Sequence, residues 1–376
     1  MSAAVAEVTG MAGTDGTKCK QYVLINLLKA GAAQLIVLHH LTFYGPMSDY
    51  AHPVMPAAID WLGHYGRLAV QVFFVIGGFL VAKSLSPQGH PGLEYPLKNV
   101  WRRYAKLAPP FVVAILLAIG ASALAGLWMT HDSISAPPDM LQFTAHALLL
   151  QDVLHHESLS AGAWYVAIDF QLYALTVLLL WLSGHLAGGR RPSWLMPLVV
   201  GIGVCISLLH FNRHASWDMW APYFFGSYGL GILAWWASDP ARRRGAVALL
   251  LAMIVLPTLV ALVVDFRSRI AVALVVACAL FFFGRMNLTL SGRGISLING
   301  LGRISYSVFL VHFPVCLVVN AMFIRFIPAE AHWQTFGMLV GWMASLAAGA
   351  AFFRWVEVPL GRMLACACRP VLARQT

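Results

Sequence analysis

Four groups of residues in this chain could do chemistry, and all of them lie within or at the edge of apolar runs, where polar groups are expensive. The first is Lys29 and His40 in "KAGAAQLIVLHHL" (29–41). On a helix, residues 29 and 40 lie close to three turns apart, so both project from one face, roughly 16 Å apart along the axis. His39 points about 100° away. An imidazole deep in an apolar helix suits a general base or a nucleophile. A lysine at the other end suits snorkelling to headgroups or meeting an anion. The second is Asp169 in "AWYVAIDFQLYAL" (163–175), about two turns below the outer surface by helix rise. A buried carboxylate at that depth, beside His40, would orient the ring and raise its basicity. The third is Arg103 and Lys106 in "KNVWRRYAKLAPP" (98–110), at i and i+3 on one face. Their spacing fits either anchoring at the inner headgroups or a clamp for an anionic phosphate. The Pro-Pro that follows implies a kink that opens space between helices. The fourth is His312 in "LGRISYSVFLVHFPV" (301–315), nine residues past Arg303 and near the bilayer midplane by rise. Pro314 could free a carbonyl for it, and such a histidine also serves as a link between helices. Tyr306 falls on a different face.

These groups need long helices to hold them, and the composition supplies them. Of 376 residues, 60% are hydrophobic and 11% charged, where a soluble domain carries about a quarter charged residues. The mean hydropathy is +0.74. This is the profile of an all-α, polytopic membrane bundle. Runs long enough to span fall near 21–43, 68–86, 106–129, 164–184, 194–211, 219–237, 244–264, 268–285, 300–323 and 335–359. The stretch 141–154 is short, carries His, Gln and Asp, and reads as interfacial or re-entrant.

The net charge of +10 does not indicate nucleic acid, because the basic residues sit in short loops between apolar runs. With ten spans and both termini cytoplasmic, 20 of the 25 Lys and Arg fall inside, as the positive-inside rule requires. Counting 141–154 as a further span would put "GRR", "ARRR" and the C-terminal arginines outside. The outer loops 44–67 and 130–163 hold Asp49, His52, Asp60, His64, His131, Asp132, His155, His156 and Glu157. Residues 1–20 are polar and small and carry no cleavable signal peptide. The six cysteines are scattered, "CAC" near the C-terminus is too short for a metal site, and no disulfide framework or metal centre is expected.

Taken in order, these segments resemble the acyltransferase family 3 of bacterial membrane proteins, the O-acetylases of surface polysaccharides. The resemblance covers about 21–362. The first helix is similar to the family's Arg-(ten residues)-His helix, with Lys29 in place of arginine and His40 kept. "QVFFVIGGFLVAKSL" resembles the family's "FFxxSGFL", with Gly77 where serine is usual. "WRRYAKLAP" resembles its Arg-x-x-Arg segment, with Arg103 and Lys106. "WYVAIDFQLY" resembles "WSLxxExQFY": Trp164, Gln171 and Tyr173 match, and Asp169 takes the glutamate's place. "LGRISYSVFLVHFPV", with Tyr306 and His312, matches the tenth-helix motif, and "RWVEVPLGR" keeps Glu357 and Pro359 of the "ERP" ending. Val358 replaces the arginine of that ending. Lys29, Lys106 and Asp169 keep the charge of the residues they replace, but the two lysines lose arginine's bidentate fork.

The resemblance implies an enzyme of the bacterial cytoplasmic membrane. It would move an acyl group, taken as acetyl, from cytoplasmic acyl-CoA to a hydroxyl of an envelope glycan or glycolipid, with no tightly bound cofactor. On that reading Arg103, Lys106 and Lys29 bind the donor's phosphates, His40 is the base or nucleophile, and Asp169 orients it. Trp164, Tyr173, Tyr306, His312 and Glu357 are supporting. The chain then divides into a cytoplasmic tail (1–20), the transmembrane domain (21–362) and a second tail (363–376). The partners are acyl-CoA, the glycan acceptor and the bilayer. A proton-coupled transporter of a sugar or lipid intermediate is the alternative, since intramembrane His and Asp also suit a proton relay. The sequence lacks the paired broken helices expected of inverted repeats.

Overall fold

The computed structural model describes residues 16–188, 190, 192–285 and 293–367. Residues 1–15 and 368–376 of the expected tails, with Cys368, lie outside the described residues. The described residues hold helices and no strand. In chain order these are α1 (Gly16–Leu41), α2 (Met47–Ala51), α3 (Pro56–Tyr65), α4 (Ala69–Leu85), α5 (Pro96–Ala125), α6 (Met140–Ala147) and α7 (Ala163–Leu186). They continue as α8 (Leu195–Leu209), α9 (Ala221–Ala237), α10 (Arg244–Val264), α11 (Ser268–Arg285), α12 (Arg293–Phe326), α13 (Ala331–Phe352) and α14 (Val358–Ala367).

Eight helical stretches are long and apolar enough to cross a membrane. The other two expected spans correspond to α9, of 17 residues, and the shorter apolar run Ser268–Phe283 within α11. Side chains such as Leu116, Leu178, Ile202, Leu256 and Val275 point outward from their helices, which is the apolar skin a bilayer requires.

Two helices organise the interior. α12 packs on α1, α5 and α13, and α9 packs on α4, α8, α10 and α11. α9 is buried along almost its whole length. Its closest approach is to α4, where Gly78 faces Tyr228 and Gly231 faces Val75. A Cβ at either glycine would collide with the opposing backbone carbonyl. Small residues at such a crossing let two membrane helices touch along their backbones. α7 packs on α5, α9 and α4.

The segment 44–67, expected as an outer loop, holds two short helices. α2 and α3 fold over the end of α1, tied by the Met47 N–H to Asn320 Oδ1 on α12 (3.2 Å) and by His39 Nδ1 to the Leu62 carbonyl (2.9 Å). Gly45, with φ +137°, makes the turn against the Asn320 side chain, a conformation that L side chains rarely adopt.

The interfacial stretch expected at 141–154 contains the eight-residue α6, with its N-cap Asp139 accepting from the Gln142 N–H. His146 is fully buried there. Its Nδ1 donates to the Gln142 carbonyl (2.9 Å), and its Nε2 accepts from the Leu159 N–H (3.1 Å). Burial holds its pKa below the usual histidine value, against the opposing effect of the hydrogen bond to the Gln142 carbonyl.

Candidate active site

The titratable side chains gather in two groups along α1, one around each end of its polar face. The group at the C-terminal end of α1 is a histidine pair. His40 Nδ1 lies 2.5 Å from His312 Nε2, and the two rings meet edge to edge and nearly coplanar, with centroids 4.7 Å apart and an interplanar angle of 10°. His312 is sealed at 0% exposure and His40 is 8% exposed. The edge of Tyr44 closes one side of His40, at 4.9 Å between centroids. His39 faces away to Leu62, as noted above.

Sequence reasoning set His40 at the outer end of its helix and His312 near the midplane, so it did not pair them. They meet because α12 packs along α1, which brings the turn of α12 that carries His312 against the last turn of α1. The carbonyls that hold His312 are those of Phe309 (2.7 Å) and Val308 (3.2 Å). The Leu310 carbonyl that Pro314 would release is not used.

The expected partnership of Asp169 with His40 is corrected by the geometry. Asp169 Oδ2 accepts a charged hydrogen bond from Arg103 Nη2. The reason is the packing of α7, which lies on α5, α9 and α4 rather than on α1. In a low-dielectric interior, a carboxylate pairs with the cation its own neighbours carry.

Arg103 is therefore not a free clamp. One arm holds Asp169, and its guanidinium lies 5.4 Å over the Tyr173 ring. Its Nε is sealed within the bundle and has no hydrogen-bond partner. Lys29 shares the electrostatic surroundings of Lys106, Arg103, Glu357 and Asp169, which makes one inner group from α1, α5, α7 and the C-terminal helices. Glu357 sits in a π-helical turn (Phe353–Glu357) and accepts from Ser307 Oγ at 2.5 Å. Such turns recur at functional sites. Tyr306 Oη reaches the Leu107 carbonyl at 3.4 Å, just before the Pro109–Pro110 pair inside α5.

Trp164 packs among Phe224 (5.7 Å), Tyr165 and Phe74, so it belongs to an aromatic cluster between helices. Gln171, matched in the sequence but given no role, ties α7 to the start of α9 by bonds to the Met219 carbonyl (3.2 Å) and the Ala221 N–H (2.9 Å). Among the described residues, no group of three or more His, Cys, Asp or Glu side chains could hold a metal ion.

A cleft of about 600 Å³ opens at the end of α4 and α7 nearest the loop 86–95. Gln88, His90, Glu94, Trp181, His185 and Arg190 line it. Its floor is rigid. Trp235 and Trp236 donate to the Pro87 and Ser86 carbonyls, Arg242 donates to Gln88, and the Gly92 N–H donates to Leu180.

No curated protein and no solved structure matches the chain. Its residues 22–355 match the family described as "Acyltransferase domain", which is nearly the whole of the described helical bundle. With that match over one continuous all-helical fold, the chain belongs to the acyltransferase family 3 and is a membrane acyltransferase.

Proposed function

We propose that the protein transfers an acetyl group from acetyl-CoA at the cytoplasmic face to a hydroxyl of a sugar in an envelope glycan or glycolipid, in the bacterial cytoplasmic membrane. The observation that carries this reading is the separation of the two groups along α1. The cationic inner group surrounds Lys29 and the histidine pair surrounds His40, roughly 16 Å apart by helix rise. A pantetheine arm between phosphate and sulfur is about four residue-equivalents of extended chain, roughly 14 Å. It spans that gap with its phosphates on Lys29, Lys106 and Arg103.

The cleft beside Trp181 then takes the adenosine end. Trp181 offers a ring for stacking, and His90, His185 and Arg190 offer donors to phosphate. Glu94 at the rim faces the ribose side, where a hydroxyl donates to it.

At the outer end, His40 takes the proton of the acceptor hydroxyl. The oxygen attacks the thioester carbonyl, the C–S bond breaks, and the departing thiolate recovers a proton from the imidazolium. The lid of α2 and α3 excludes water from this step, which keeps the thioester from hydrolysis. Its exposed Trp61 and Tyr65 give the sugar a surface to lie on.

The test is acyl transfer in proteoliposomes. Acetyl-labelled acetyl-CoA is supplied on one side and a glycolipid acceptor is included in the bilayer. The expected result is label on the acceptor with no imposed gradient, lost in His40→Ala. Label that stays on CoA while the protein dissipates a proton or sugar gradient would overturn the assignment in favour of transport.

A further inference from the structure

We infer that His312 is the positioning residue of His40, holding it as the Nδ1–H tautomer with its Nε2 lone pair open, so that the base is an all-imidazole dyad with no carboxylate. This rests on the reading of His40 as the base.

The direction of each hydrogen bond follows from what the partners can do. The Phe309 and Val308 carbonyls only accept, so His312 Nδ1 carries a hydrogen and donates to Phe309 at 2.7 Å. In a neutral ring, Nε2 is then the acceptor. The hydrogen in the 2.5 Å contact therefore belongs to His40 Nδ1, and the lone pair of His40 is on Nε2. That atom has no hydrogen-bond partner among the described residues, and it is not one of the sealed, unpartnered polar atoms of the bundle. His40 keeps 8% of its surface exposed.

No carboxylate bonds either ring among the described residues. Asp169 is held by Arg103 and Glu357 by Ser307. The titratable groups that face the dyad are His39, whose ring lies 5.3 Å from His40, and Tyr44. A neutral dyad places no ion in the membrane interior at rest, where a lone charge is costly. When the hydroxyl proton arrives on His40 Nε2, the Nδ1 proton can pass to His312 Nε2. The charge is then shared across two hydrogen-bonded rings until the thiolate takes the proton back.

The experiment is solid-state NMR of the full chain in liposomes with ¹⁵N-histidine, the His40 signals being assigned by their loss in His40→Gln. The expected spectrum at neutral pH shows His40 and His312 each protonated at Nδ1 and bare at Nε2. In His312→Leu, His40 loses its acceptor and should become a tautomer mixture. Its kcat should fall about 10²- to 10⁴-fold, as when a triad loses its orienting group, with KM for acetyl-CoA within about twofold of wild type. His312→Gln offers a side-chain carbonyl to the His40 Nδ1–H but cannot take its proton. It should restore the tautomer and only part of kcat. His40 protonated at Nε2 in the wild type, or an unchanged tautomer and kcat in His312→Leu, would overturn the dyad. The NMR arm needs no acyl donor, so a wrong donor or acceptor fails separately.

Discussion

The Arg103–Asp169 pair makes a quantitative prediction that separates its structural role from donor binding. The pair lies within the bundle, with 28% of the Arg103 side chain and 8% of the Asp169 side chain exposed. Removing one partner of a buried pair typically costs about 3–5 kcal/mol, because the other charge is left uncompensated. The partial exposure of Arg103 lets solvent relieve some of this, so about 2–4 kcal/mol is expected for Arg103→Met or Asp169→Asn alone. Removing both charges in Arg103→Met/Asp169→Leu leaves nothing uncompensated, and the double variant should lose less than about 1 kcal/mol. The assay is a double-mutant cycle by denaturation in mixed micelles. Donor affinity is measured in parallel on the stable double variant. A stable double variant with weakened acetyl-CoA binding would show that Arg103 also meets phosphate. Single-variant losses that add within about 0.5 kcal/mol would refute the coupling, and with it the explanation of why Asp169 is not the partner of His40.

Three other expectations follow from particular contacts. Gly78→Val should reduce stability by about 1–3 kcal/mol or more and lower the melting temperature in detergent, because its Cβ meets the Tyr228 carbonyl across the α4–α9 crossing; an unchanged melting temperature would mean the helices can separate freely. Trp181→Ala should raise KM for acetyl-CoA about tenfold, equivalent to about 1.4 kcal/mol of lost stacking, while sparing a truncated acetyl-pantetheine donor; equal effects on both donors would remove the cleft from the nucleotide path. His146, whose pKa is lowered in the folded protein, contributes stability that is complete above about pH 6.5 and is lost as pH falls from there through the lowered folded value. Hydrogen exchange at the Leu159 amide, corrected for intrinsic rates, should therefore quicken between pH 7.5 and 5, and this acceleration should vanish in His146→Phe. Burial raises the nearby Asp152 carboxyl, which acts in the opposite sense on global stability, so the local amide is the informative readout.

The fold was legible because membrane helices announce themselves by length and apolarity. Boundaries were less so. The third expected span, 106–129, belongs to a helix that starts at Pro96. The proline pre-sets the first turn, and the basic turns that follow extend the helix past the apolar run. Hydropathy cannot see that extension. The segment 44–67 was read as a loop because its charges mask two short helices. That misreading had a consequence for the site, since a loop gives no reason for His40 to be covered.

The candidate residues were legible individually, and their partners were not. Helical periodicity orders side chains around one helix, so it aligned Lys29 with His40 and set His39 aside. It carries no information on which helix lies opposite. Depth alone paired His40 with Asp169. The packing of α12 against α1 and of α7 against α5 decided otherwise, giving His40 a second imidazole and giving Asp169 to Arg103. The two assignments are linked. If Asp169 faced His40, the Arg103 guanidinium would stand uncompensated among Tyr165, Tyr228 and Tyr306, and the histidine pair would carry a net charge in the membrane interior. The observed partition keeps the cation with the anion and leaves the base neutral. On the proposed function, in which donor phosphates meet one end of the bundle and an uncharged base stands at the other, that division of charge follows from the helix order.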